Sequence, residues 1–149
     1  MKLLCDEMLK GLARWLRAAG HDVEMAPDGS PDRLLIDCAA RDGRLLLTRD
    51  RQLLAIRGAS SVVVLLSGVD LEGCVREVDR KLGIDWLHAP FSRCLLCNTR
   101  LVDSAPPPEL PPDVGRVCRC PRCSKTYWHG GHVRRMRQRL ERWQLIKAP

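Results

Sequence analysis

No apolar run in this 149-residue chain approaches the roughly 20 residues a helix needs to cross a bilayer, so no membrane-spanning segment is expected. The uninterrupted apolar segment of a secretory leader is also missing, because MKLLCDEM reaches a carboxylate at Asp6. A cytoplasmic location and no membrane partner are the expectations. No internal repeat is evident. The first 90 residues lack any surplus of positive charge, with 13 Lys and Arg against 14 Asp and Glu, a net of −1. Residues 91–149 hold 12 against 4, a net of +8, so the whole chain's excess sits in its last third. Such asymmetry suggests a polyanionic partner for that third.

Cysteine, by contrast, is abundant. Five of the eight cysteines crowd into residues 94–123, and in a reducing compartment clustered thiols read as metal ligands rather than disulfides. Cys94-x-x-Cys97 and Cys120-x-x-Cys123 stand 22 residues apart. Two such knuckles supply four thiolates, which close a tetrahedral Zn²⁺ shell with no position left for substrate. This zinc is therefore expected to be structural, a staple for a segment with little core of its own. Cys118 either swaps into the shell or simply packs. Cys5, Cys38 and Cys74 lie in apolar stretches and are expected to be buried.

The hydrophobic pattern predicts strands at 2–5, 23–26, 45–47 and 61–66. Between and after them, helical spacing runs from Met8 to Leu16, through Leu34, Leu35, Cys38 and Ala39, and over Leu71–Leu82. Ser30 is the expected cap of the second helix, with Pro31 at its first position. A short helix is expected at 52–57. Uniformly apolar strands alternating with helices indicate an α/β fold with a doubly wound parallel sheet covered on both faces. After Trp86 the character changes to CLLC, then the proline-rich loop SAPPPELPPDVG, then CRCPRC and a basic helix. This divides the chain into 1–88, an α/β domain, and 89–149, a small four-cysteine zinc module ending in that helix.

Ligands of parallel sheets bind beyond the carboxyl ends of the strands. Asp6 and Asp50 follow strands directly, and Asp32, opening a helix after another strand, faces the same rim. Each alone has an ordinary reading, as a helix cap or a turn residue. Together, three carboxylates on one rim repel unless a cation neutralises them, and an oxygen-only donor set selects Mg²⁺ or Mn²⁺. Within LLLTRDR, Thr48 is placed to hold a carboxylate or a water, and Arg49 and Arg51 to meet phosphate. The tail YWHGGHVRRMRQRLERW interleaves aromatics with arginine, a composition suited to single-stranded nucleic acid. Its inner stripe of Val133, Met136, Leu140 and Trp143 is expected to pack on the zinc module. Candidate nucleic-acid contacts are Arg14, Thr48, Arg49, Arg51, Trp128, His132, Arg134 and Arg135.

Taken in order, MKLLCDEMLKGLARWLRAAGHDV, PDRLLIDCAARDGRLLLTRDRQLL, SRCLLCN, CRCPRC and YWHGGH resemble the Mut-seven C-terminal RNase family, a PIN-like nuclease branch with an appended zinc ribbon. The resemblance implies metal-dependent cleavage of RNA, with Asp6, Asp32 and Asp50 as catalytic and metal-binding acids and Cys94, Cys97, Cys120 and Cys123 as zinc ligands. The fourth acid usual in PIN-like nucleases has no clear counterpart, Glu7 and Asp37 being the nearest substitutes. Cys118 stands where the family usually has an aromatic. An RNA-binding protein with a degenerate site is the alternative reading. A phosphoacceptor receiver domain is disfavoured, because the 26 residues between Ser67 and Cys94 cannot house its lysine-bearing strand and flanking helices.

Overall fold

Pleating sorts the strand residues into two cores. In a computed structural model, which describes residues 1–147, the apolar runs form β1 (Lys2–Cys5), β2 (Asp22–Met25), β3 (Leu45–Thr48) and β4 (Val63–Leu65). All pair parallel, in the order β2-β1-β3-β4. Side chains of a strand alternate between faces. Leu3, Cys5 and Leu47 accordingly enter one core, while Leu4 and Leu46 enter the other. The first core is closed by α1 (Lys10–Ala18) and α3 (Leu71–Leu82), the second by α2 (Asp32–Asp42) and two short 3-10 turns, Arg51–Ala55 and Ala59–Ser61.

From β1 the chain passes through α1 to β2 on one side, then through α2 to β3 on the other. Strand order thus reverses between β1 and β3, the topological switch point at which open α/β sheets bind ligands. No helix among the described residues is long and apolar enough to cross a membrane.

The cysteine-rich module is a three-stranded antiparallel sheet of β5 (Val102–Asp103), β6 (Val117–Arg119) and β7 (Thr126–Trp128). The proline-rich stretch is the connection between β5 and β6, without helix or strand from 104 to 116. The module docks against the edge strand β2. Asn98, buried and at φ 72°, accepts from the Val23 N–H through Oδ1 (2.9 Å) and donates through Nδ2 to Asp22 (2.7 Å). Buried Arg17 on α1 donates to Val23 O (2.8 Å) and across to Leu95 O (3.1 Å). Ala89 N–H donates to Ala19 O and Phe91 N–H to Ala18 O, bringing the linker hard against Gly20. A Cβ on Gly20 would stand 2.3 Å from Ala89 O, and its φ of 97° also excludes most side chains.

Three expectations are corrected. Ser30 does not cap α2. Its hydroxyl donates to Pro27 O (2.6 Å), and Pro31 takes the cap position. The segment 52–57 is a 3-10 turn over Arg51–Ala55, not a full helix, because Asp50 caps it at Gln52 and extended backbone at Ile56 ends it. The last helix, α4 (Gly131–Leu145), buries Met136, Leu140 and Trp143 as expected, but in the core under α1 and α3 rather than on the cysteine-rich module. Trp143 meets Trp15 edge-on and Trp86 at a tilt, both with ring centroids 5.0 Å apart, and its indole N–H donates to Glu72 (2.9 Å). Indole rings from three distant segments offer more apolar area than the small module can match, so the helix follows them.

Candidate acidic cleft and cysteine centre

Two adjacent strand ends build the rim at the switch point. β1 ends at Cys5, and Asp6 then caps the 3-10 turn Glu7–Leu9, its Oδ1 accepting from Met8 N–H (3.0 Å). β3 ends at Thr48, whose fully buried hydroxyl donates to the other Asp6 oxygen. The same Thr48 oxygen accepts from Asp50 N–H (3.0 Å), and Asp50 in turn caps Gln52 N–H (2.9 Å). One hydroxyl therefore ties the two acids together across adjacent strands, which is why an apolar strand ends in Thr-Arg-Asp.

Asp6, Asp32 and Asp50 line one cleft, with Glu7, Ser30 and Leu53 among its other walls. Asp32 reaches it from the first turn of α2. The carboxylates share this cleft without gathering into a group as tight as the cysteines described below. Mg²⁺ keeps several waters and takes one or two carboxylates plus substrate phosphate, so it does not require a donor group as tight as that. Of the substitute acids, Glu7 is exposed at the cleft and accepts from Gly29 N–H (3.3 Å). Asp37 lies away from it on α2, paired with Arg33 (3.3 Å).

The candidate nucleic-acid contacts divide. Thr48 is corrected: with no exposed surface it is out of reach of nucleic acid, and its hydroxyl is taken up by Asp6 and the Asp50 N–H. Arg49 is half-buried and turned toward the loop after β4, donating to Gly68 O (3.2 Å). Arg51 is exposed beside Asp50. Arg14 and His132 are exposed and meet, the guanidinium donating to Nε2 (3.2 Å), which joins α1 to the start of α4. Trp128, Arg134 and Arg135 are also exposed. Arg139 of the basic tail instead faces inward, between the rings of Trp15 and Trp143 and bonded to Glu72 (2.6 Å).

The sulfurs of Cys94, Cys97, Cys120 and Cys123 lie within 4.8 Å of one another, a group that could hold a zinc ion. Cys94 and Cys123 approach to 3.4 Å, as do Cys97 and Cys120. Burial opposes ionisation of Cys97, yet hydrogen bonds from Thr99 and Cys120 bring its thiol down to about 6. At Cys123 the N–H of Lys125 favours the thiolate, but the neighbouring Cys94 overrides it and pushes the thiol up to about 11. Four crowded sulfurs resist shared ionisation, which is the condition a divalent cation relieves. Cys118 stands outside the group, half-buried on β6 near Asp103.

The partners of these sulfurs escaped sequence reasoning. Tyr127 Oη lies 3.2 Å from Cys94 Sγ and accepts from Leu95 N–H (3.1 Å), and Thr99 Oγ1 lies 3.3 Å from Cys97 Sγ. Such outer groups orient metal ligands. Thr99, two residues past a knuckle, had a local signal. Tyr127 had none, since its partner is 33 residues away.

The chain matches the family described as Mut7-C RNAse domain over residues 1–140. It is also similar to the human (Homo sapiens) exonuclease mut-7 homolog, 32% identical over 101 residues, which cover 65% of this chain and 12% of that protein. The chain thus spans only a small part of the curated relative it matches. No solved structure matches it.

Proposed function

The chain belongs to the Mut7-C RNase domain family, and from that premise we propose that it is a nuclease that hydrolyses RNA phosphodiester bonds with Mg²⁺ or Mn²⁺ at the acidic cleft. The observation that carries this reading is the placement of Asp6, Asp32 and Asp50 around one cleft at the switch point of the sheet. On this reading residues 1–88 supply the reacting rim, and residues 89–149, stapled by Zn²⁺ on four cysteines, capture the RNA. When bound, Mg²⁺ or Mn²⁺ supplies a Lewis acid for the phosphate and a more acidic water.

The chain's own residues set up the rest. Thr48 holds the Asp6 carboxylate and the Asp50 backbone in register, Asp32 closes the cleft from α2, and exposed Arg51 is placed to meet a phosphate. Attack of water on phosphorus breaks the bond to the 3′ oxygen, so the products carry a 5′-phosphate and a 3′-hydroxyl.

The test incubates the protein with end-labelled single-stranded RNA, with and without added Mn²⁺ or Mg²⁺, beside an Asp6→Asn, Asp50→Asn double variant. Metal-dependent cleavage by the wild type and none by the variant is expected. RNA bound equally by both and cut by neither would favour the second reading, an RNA-binding protein with a degenerate site. That reading draws on one observation: both Asp6 oxygens already accept hydrogen bonds.

A further inference from the structure

A second groove lies between the cysteine-rich module and α4, lined by Phe91, Tyr127, Trp128, His129, Arg116 and Arg137 among others. Its aromatic parts are held rigidly. Tyr127 is anchored at its hydroxyl beside Cys94, so this ring is set by the cysteine centre itself. Trp128 rests over Gly130, where a Cβ would stand 2.9 Å from Nε1 and 3.4 Å from Cδ1. The first glycine of WHGGH thus makes room for an indole rather than for an unusual backbone angle. Arg137 lies over the Phe91 ring, 5.9 Å from its centroid.

Cations continue from the groove along α4. Arg134 donates to His129 O (3.1 Å), and His132 accepts from Arg14 on α1. Lys10 stands one turn before Arg14 on the same helix, at the end that begins beside Asp6 and Glu7. Arg134, the His132 imidazole that accepts from Arg14, Arg14 itself and Lys10, the last paired with Asp28 (3.4 Å), therefore mark a path from the aromatic groove toward the acidic cleft. Two of the groove's arginines already have acids, Arg116 with Asp103 (2.8 Å) and Arg137 with Glu141 (3.9 Å), which leaves the aromatic faces as its main offer.

We infer that this groove is a stacking subsite for an unpaired base of single-stranded RNA, whose phosphates run along His132, Arg14 and Lys10 toward the cleft. The inference rests on the ribonuclease reading and adds to it a fixed anchor at a distance from the reacting bond. Aromatic rings take any base by its face, whereas a duplex has its faces already stacked. The occupant is thus a single strand without strong sequence preference, and it must be long enough to span groove and cleft.

Tryptophan fluorescence reads the groove without any chemistry. Trp86 and Trp143 are fully buried and Trp15 is half-buried, while Trp128 is 37% exposed. The zinc-loaded full chain carrying Asp6→Asn and Asp50→Asn is titrated with uridylate oligomers of increasing length and with duplex RNA. Quenching by the single strands is expected, lost when Trp128→Phe is added. Affinity falls on the order of ten-fold in Trp128→Ala.

Gly130→Ala keeps every groove side chain but displaces the indole, and a several-fold weakening is expected with the zinc content unchanged. In the active protein Trp128→Ala raises KM for long RNA by a larger factor than for the shortest substrates, which cannot span groove and cleft. Quenching that survives Trp128→Phe, duplex RNA binding as well as single strands, or unchanged affinity in both Trp128→Ala and Gly130→Ala would overturn the subsite. Because binding is measured in a cleavage-dead protein, failure of the groove and failure of the ribonuclease reading are separately visible.

Discussion

Thr48 serves two carboxylate positions with one hydroxyl, donating to Asp6 and accepting from Asp50 N–H. Valine has nearly the same shape but no oxygen. Thr48→Val therefore leaves a buried acceptor and a donor unpaired, at about 1–3 kcal/mol, and cleavage should fall with it. Thr48→Ser should recover most of both, as urea unfolding and RNA cleavage rates will show. A second buried acid answers to pH. Burial pushes Glu77 up, but hydrogen bonds from the N–H groups of Ser67 and Gly68 and the Ser67 hydroxyl outweigh it, holding the carboxyl below the usual glutamate value. A depressed folded value means stability present above the unfolded glutamate value of about 4.3 and lost as pH falls through the folded one. Glu77→Gln should flatten that acid limb in urea midpoints measured against pH.

At the scale of elements, the edge of the sheet governs how the two parts communicate. β2 is an edge strand, and unpaired edges invite aggregation unless covered. Here the Cys94–Cys97 knuckle covers it through Asn98, which sits in the left-handed region that asparagine tolerates better than most residues. Asn98→Ala should cost roughly 2 kcal/mol and speed hydrogen exchange at the Val23 amide, which would lose its acceptor. Stripping metal from the four cysteines should loosen the same amide, because the knuckle that presents Asn98 is shaped by those sulfurs. Unchanged Val23 protection in both cases would show the edge to be held by other contacts.

At the scale of the molecule, the last helix closes the first core. Met136, Leu140 and Trp143 lie among Leu12, Leu16, Val75 and Trp86. Residues 1–88 expressed alone should therefore lack fixed tertiary packing, showing secondary structure by far-ultraviolet circular dichroism but a weak near-ultraviolet signal. In the full chain, Trp143→Ala should cost about 3–5 kcal/mol. The four parallel strands, the four α-helices and the cysteine quartet were legible in the sequence, since each depends on residues close together in the chain or on one fixed spacing. The short strands β5, β6 and β7 carry no such pattern. The partner of α4 was not: its apolar stripe says that it packs but not on what.

The amino-acid sequence by itself determined most of the inward-facing residues, the parallel strands to within a residue or two, which acids follow them and which four sulfurs form a group. In the expected inner stripe of α2, though, Leu34 is exposed and Cys38 only half-buried, Ile36 taking the core position instead. Periodicity, caps and ligand spacing are local properties, and they survive in one dimension. Only the tertiary structure decided that Thr48 bonds Asp6 from 42 residues away, that Tyr127 braces Cys94, that Asn98 seals β2 and that Arg139 lies between two tryptophans. Those contacts join segments whose separation in sequence carries no information about their distance in space. They are chosen by which apolar surfaces the folded chain can cover and which buried polar atoms are then left to pair.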